Sequence, residues 1–248
     1  MTVSISIMAH ESRKEYIPYI HEKLGYECPV AWERGLGRRD TGARAWVLHD
    51  PKATHHLVLQ DDVLLSTGLP GVLGKLVEAV PDQPISLFAH DRKAWNKLID
   101  QCARRCMVVR WLVLQRLNWG PAVMLPVKDI EPMIAWTERN VFLPNYDMAI
   151  AYYYLSARGV PIWYCMPSLV DHRCEGESLV WDKKNQKGRR ARYFVGEQQS
   201  GMMLDWRGEN VYEIEPMEKY LRNLMLINES CRLKADPENA GIMQFEDL

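Results

Sequence analysis

The chain has 248 residues, 47% hydrophobic and 25% charged, and its 31 Lys and Arg against 32 Asp and Glu leave a net charge of −1. That supports one α/β domain with an appended C-terminal part rather than two equal domains. No apolar stretch approaches the ~18 residues of a spanning helix, and residues 1–16 lack the basic-then-apolar layout of a signal peptide, so a cytoplasmic protein with no membrane contact is expected. Cys28, Cys102, Cys106, Cys165, Cys174 and Cys231 form no C-x-x-C pair, which predicts reduced thiols and argues against zinc.

In chain order, strands alternate with helices. Val3 to Met8 is β-branched and alternating, predicting a first strand, and Ile17, Ile20 and Leu24 fall at helical spacing behind it. The loop between them runs from Ala9 through His10 to Arg13. Pro29 to Trp32 predicts a second strand, Thr41 to Leu48 a short helix, and Leu57 to Gln60 a buried strand. Pro70 suits a first helical turn and opens a helix to about Ala79. Ile85 to Phe88 is expected as strand, Arg92 to about Arg105 as helix, Ala122 to Leu125 as extended and Ile130 to Arg139 as helix. Met148 to Ala157 is expected as a helix stopped by Gly159, and Ile162 to Cys165 returns to strand. The alternation implies a mainly parallel sheet with helices on both faces.

The segment Thr54 to Val63, THHLVLQDDV, carries the most chemistry. Its apolar strand ends in two adjacent carboxylates, Asp61 and Asp62, and ligands of open α/β sheets bind at such carboxyl ends. Two acids there carry a desolvation cost that Mg²⁺ or Mn²⁺ with phosphate oxygens offsets, which points to a nucleotide-diphosphate substrate. The other reading makes both aspartates caps of a helix that follows. His172, after the extended stretch Pro167 to Asp171, is either a ligand to the same ion or a hydrogen-bonded histidine. Asp147 stands where a helix begins, as an N-cap or as a general base. Arg13, Arg38, Arg39 and Arg44 lie in or near loops after early strands, as phosphate partners or as solvated residues. Lys183, Lys184, Lys187, Arg189, Arg190 and Arg192 form a basic run flanked by Trp181 and Tyr193, read either as a solvated loop or as a nucleic-acid contact.

Taken together, Gln60-Asp61-Asp62, Trp119-Gly120-Pro121-Ala122, Asp147 and PSLVDHR from Pro167 to Arg173 resemble the GT-A class of nucleotide-sugar glycosyltransferases, nearest to the small enzymes of bacteriophages. The resemblance extends to Met8-Ala9-His10 with Arg13 and to Thr41 through Trp46, and spans about the first three quarters of the chain. It implies a GT-A (Rossmann-like) fold, with residues 1–180 binding the nucleotide-sugar and carrying catalysis. Residues 181–248 then form a basic loop and C-terminal helical extension of the same domain. It further implies Mn²⁺ or Mg²⁺ on Asp61, Asp62 and His172. A UDP-sugar is expected against Ala9, His10, Arg13, Arg44, Gln60, Asp61, Trp119 and Gly120, with Asp147 as the base. Gln60 stands where many relatives carry an acid, and Asp171 precedes His172 where a neutral residue is usual. The implied reaction is inverting transfer of a sugar to a hydroxyl, with hydroxymethylated DNA, a protein or a glycan as acceptor. A metal-dependent nucleotidyltransferase and a nucleic-acid-binding protein with a lapsed active site are the alternatives.

Overall fold

The structure, a computed structural model, describes residues 2–90, 99–101, 104, 110–117, 120–139, 146–173, 190–207 and 211–213. Its centre is an eight-stranded sheet of β1 (Val3–Ala9), β2 (Val30–Trp32), β3 (His55–Gln60), β5 (Ile85–Ser86), β6 (Trp111–Leu114), β7 (Ala122–Pro126), β8 (Ile162–Cys165) and β10 (Val211–Glu213). A separate two-stranded ribbon joins β4 (Val63–Leu65) to β9 (Val170–His172). The order across the large sheet is β10-β6-β8-β5-β7-β3-β1-β2. β1 pairs in parallel with both β2 and β3, whereas β7 runs antiparallel between β3 and β5, and β6 runs antiparallel to β8. The sheet is therefore mixed, Rossmann-like on its β2-β1-β3 side and interrupted beyond it.

The apolar run of β3 is continuous because both faces of the sheet are covered. Leu57 and Leu59 join Ile5 and Ile7 in a core roofed by α1 (Ile17–Leu24) and α3 (Leu69–Ala79). Val58 and Met8 join the opposite core under α2 (Gly37–Val47), α4 (Ile130–Arg139) and α5 (Tyr146–Tyr153). Pro18 lies in the first turn of α1, and Gly25, at φ 81°, ends it in the left-handed conformation that glycine adopts without Cβ strain. Among the described residues no helix is long and apolar enough to cross a membrane.

Several boundaries differ from the sequence reading. α2 starts at Gly37, ahead of Thr41, because the Glu33 carboxylate accepts the amides of Gly35 and Gly37 and organises the turn that opens the helix. The helix at residue 146 gives way after Tyr153 to a π-helical turn, Tyr154–Arg158, that Gly159 stops at φ 62°. The strand at Ile85 ends at Ser86. β6 and β10 were not anticipated, and residues 63–65 form a strand where a helix capped by the diacid was one reading. Of the helix expected over residues 92–105, only 99–101 and 104 are described, and they are helical. The C-terminal extension beyond residue 213, most of the basic run, Trp119, Cys102, Cys106, Cys174 and Cys231 lie outside the described residues. Cys28 and Cys165 are buried free thiols whose burial raises their pKa.

Candidate functional site

The connection β1 to β2 leaves on one side of β1, and β3 returns on the other. The crevice between the carboxyl ends of β1 and β3 is thus the switch point of this half of the sheet, the place where open α/β sheets bind ligands. Residues from both strands meet across it. Met8 is level with Gln60, the Asp61 amide donates to the Met8 carbonyl at 3.1 Å, and Asp61 Oδ2 accepts the His10 amide at 2.7 Å.

Neither aspartate caps a helix. Asp61 and Asp62 are each 4% exposed, and one Arg13 nitrogen, Nη1, bridges them, at 3.0 Å from Asp61 Oδ1 and 2.5 Å from Asp62 Oδ2. Arg13 comes from the short 3₁₀ segment Glu11–Tyr16 that follows β1, with the His10 ring accepting the Ser12 amide at its start. Burial raises the Asp61 pKa and the neighbouring Asp62 charge raises it further, against the opposing His10 amide and Arg13. For Arg13, burial pulls the pKa down, but the two carboxylates outweigh it and the guanidinium is held more firmly charged than usual.

The ribbon brings in the late part of the chain. Val63 pairs with His172, so the imidazole lies beside the diacid, with Nε2 3.1 Å from Asp62 Oδ2. His172 Nδ1 faces the Arg173 carbonyl at 2.6 Å, and the Arg173 amide donates to the Asp62 carbonyl at 2.8 Å. With Nδ1 donating, Nε2 is left either to carry a proton toward Asp62 or to offer its lone pair to a cation beside that carboxylate. Asp62 and His172 therefore fit as an oxygen and a nitrogen ligand of a Mn²⁺ or Mg²⁺ ion. Asp61 as it stands is taken up by the His10 amide and Arg13. Among the described residues no group of three or more His, Cys, Asp or Glu is gathered tightly enough to hold an ion unaided.

Asp171, which precedes the histidine, has a different task. Only 2% exposed, it accepts the His172 amide at 2.8 Å, the Ala191 amide at 2.6 Å and Arg190 Nε at 2.6 Å. It anchors the returning chain beside the site and is not turned to the diacid. Arg192 makes a two-nitrogen pair with Asp100, so two members of the basic run are engaged within the fold.

Asp147 lies in the first turn of α5, and its Oδ1 accepts its neighbour's amide, Met148 N, at 3.0 Å, as a residue satisfying a helix start does. Its position also fits the functional reading. The Gln60 amide donates to the Pro121 carbonyl at 2.7 Å, and a Cβ on the adjacent Gly120 would stand 3.4 Å from Asp147 Cβ. Because β7 runs antiparallel to β3, Gly120 and Asp147 fall at the same sheet edge as the diacid. Arg44 is held elsewhere on that edge, by Asp40 at 2.9 Å and by the Trp32 carbonyl at 2.5 Å, and Arg39 donates to the Thr137 carbonyl.

The sequence reading passed over Tyr16, Tyr19 and Arg173, whose rings and guanidinium pack together beside His172. The only signal was a cation directly after the histidine. A scan of the chain against protein-family models finds no match, and a search of curated proteins finds none either.

Proposed function

We propose that the chain is a metal-dependent, inverting glycosyltransferase of the GT-A class that moves a sugar from a nucleoside diphosphate, UDP foremost, to a hydroxyl. One observation carries this reading. Two adjacent buried carboxylates stand at the β3 side of the β1/β3 crevice, and a histidine from late in the chain is set 3.1 Å from one of them. The single charge of Arg13 offsets two buried like charges here in part, and a bound cation at Asp62 would offset the remainder.

Asp62 and His172 would hold the Mn²⁺ or Mg²⁺ ion. Bound there, the ion supplies neutralisation of the charge that develops on the leaving diphosphate. Arg13 keeps the two carboxylates paired and close, and its guanidinium also suits diphosphate oxygens. Ala9, His10, Gln60 and Gly120 stand at the strand ends that border the crevice, and Gly120 lies against Asp147. In transfer, the acceptor oxygen bonds to the anomeric carbon while the bond from that carbon to the diphosphate oxygen breaks. The acceptor proton passes to the Asp147 carboxylate, and the electron pair leaves on the diphosphate. A single displacement of this kind inverts the sugar carbon.

For the acceptor, hydroxymethylated DNA remains a proposal that rests on Lys183, Lys184, Lys187 and Arg189, since Arg190 and Arg192 are committed to Asp171 and Asp100. A panel of nucleotide-sugars with Mn²⁺, assayed for released nucleoside diphosphate with and without acceptors, tests the reading. Release of diphosphate with one donor supports it. Turnover of nucleoside triphosphates to pyrophosphate, with no donor hydrolysed, would replace it with nucleotidyl transfer.

A further inference from the structure

Resting on the diphosphate reading of this crevice, we infer that Arg173 is the fixed cation of an anion-binding subsite that takes one phosphate group of the ligand. Its guanidinium carbon lies 4.9 Å from the centre of the Tyr16 ring and 4.4 Å from that of Tyr19. The cation thus lies over two rings, whose faces offer its five N–H donors no conventional hydrogen-bond acceptor.

Those donors have no protein acceptor among the described residues, and Nε is buried without a hydrogen bond. Among the described residues no carboxylate pairs with Arg173 either. Its neighbours explain why: Asp61 and Asp62 are bridged by Arg13, Asp171 is held by Arg190, and Glu197 takes the Tyr19 hydroxyl at 2.7 Å. A buried donor left unsatisfied is costly, and an arginine seated on two rings with no acceptor among the described residues is pre-organised for a multiply charged oxyanion such as a tetrahedral phosphate group.

Its position suits the same ligand as the diacid. The Arg173 amide is bonded to the Asp62 carbonyl, and its carbonyl takes His172 Nδ1, so the backbone of Arg173 is tied to both proposed metal ligands. Tyr16 belongs to the 3₁₀ segment that also carries Arg13. The arginines at the diacid and on the tyrosines thus flank one short segment. The Tyr19 hydroxyl is itself fixed, donating to Glu197 and accepting the Leu65 amide at 3.1 Å, and burial pushes its pKa up to about 12, so the ring stays neutral beneath the cation.

Inorganic pyrophosphate is the probe, titrated calorimetrically into the full chain and into Arg173→Gln and Arg173→Lys. Loss of charge-assisted bonds in Arg173→Gln should weaken binding ~10-fold or more, and Arg173→Lys should recover only part of it. Should Arg173→Gln fold poorly, the wild-type chain gives a second measurement: pyrophosphate should protect Arg173 from phenylglyoxal, with the modified residue mapped by mass spectrometry. Pyrophosphate bound equally by wild type and both variants, or Arg173 modified equally with and without it, overturns the subsite while the diphosphate reading stands. If the wild-type chain binds neither pyrophosphate nor UDP in the presence of Mn²⁺, both fall together.

Discussion

Acid should loosen this fold through His56, at the opposite end of β3 from the diacid. The imidazole is fully buried, with Nδ1 2.8 Å from Ser4 Oγ and Nε2 2.9 Å from Ser6 Oγ and 3.1 Å from the Ala45 carbonyl. Burial lowers its pKa from 6.5 to about 4, and the carbonyl bond only partly offsets that. The folded state therefore binds a proton less readily than the unfolded chain, so His56 supports the fold fully above pH 6.5 and progressively less as pH falls toward 4. Between about pH 7 and about pH 4.5 the loss from this one group works out at roughly 2 kcal/mol. The assay is urea unfolding followed by far-UV circular dichroism at several pH values, for wild type and for His56→Gln, whose amide can still bond the serines but does not titrate. The variant should be less stable at neutral pH, and its stability should fall by roughly 2 kcal/mol less over the acid range. Parallel stability profiles for the two proteins would refute the reasoning.

At the site itself, Asp62→Ala should abolish donor turnover and its response to Mn²⁺, measured as nucleoside diphosphate released; turnover kept in that variant or in excess chelator would remove the metal assignment. Asp147→Asn should leave UDP affinity unchanged by calorimetry while transfer drops ~10²-fold or more. Near-normal transfer would leave Asp147 as a residue of the helix start alone. Gly42→Ala would put a Cβ 2.4 Å from Tyr146 Cδ2. Overpacking there should cost ~1–3 kcal/mol in urea unfolding and push the start of α5, with Asp147 on it, off its seat. In the background Tyr146→Ala the same glycine change should cost far less, and equal costs in both backgrounds would count against the contact.

The early half of the fold was legible because its signals are local. The β-branched alternation of Val3 to Met8, the helical spacing of Ile17, Ile20 and Leu24 in α1, and the apolar run into Asp61 each name an element without distant information. β4 and β9 were not legible as partners, since three-residue strands carry too little periodicity and each is defined by the other from across the chain. β6 has apolar residues on both faces, so the pattern WLVL distinguishes nothing between a buried strand and a buried helix turn. For the site, residue types at a strand end pointed to Asp61, Asp62 and His172. Which atom faces which was beyond reach: that a single Arg13 nitrogen bridges both carboxylates, and that Asp171 turns away to Arg190, depends on side-chain directions set by the ribbon register. The nearness of Asp147 to Gly120 was hidden for a related reason, because it joins two separate stretches of the chain.

The pairing of Val63 with His172 also bears on the order in which the chain is made. During synthesis the diacid emerges long before the histidine, and throughout that interval Arg13 is the described side chain available to offset the two carboxylates. Any fragment that ends short of residue 172 therefore carries half a pocket, whatever it manages to fold. The closing strand must also arrive in the right frame. A slip of one position would set Asp171 opposite Val63 and bring a third carboxylate to the face where the imidazole now stands, with Arg13 already shared between the other two.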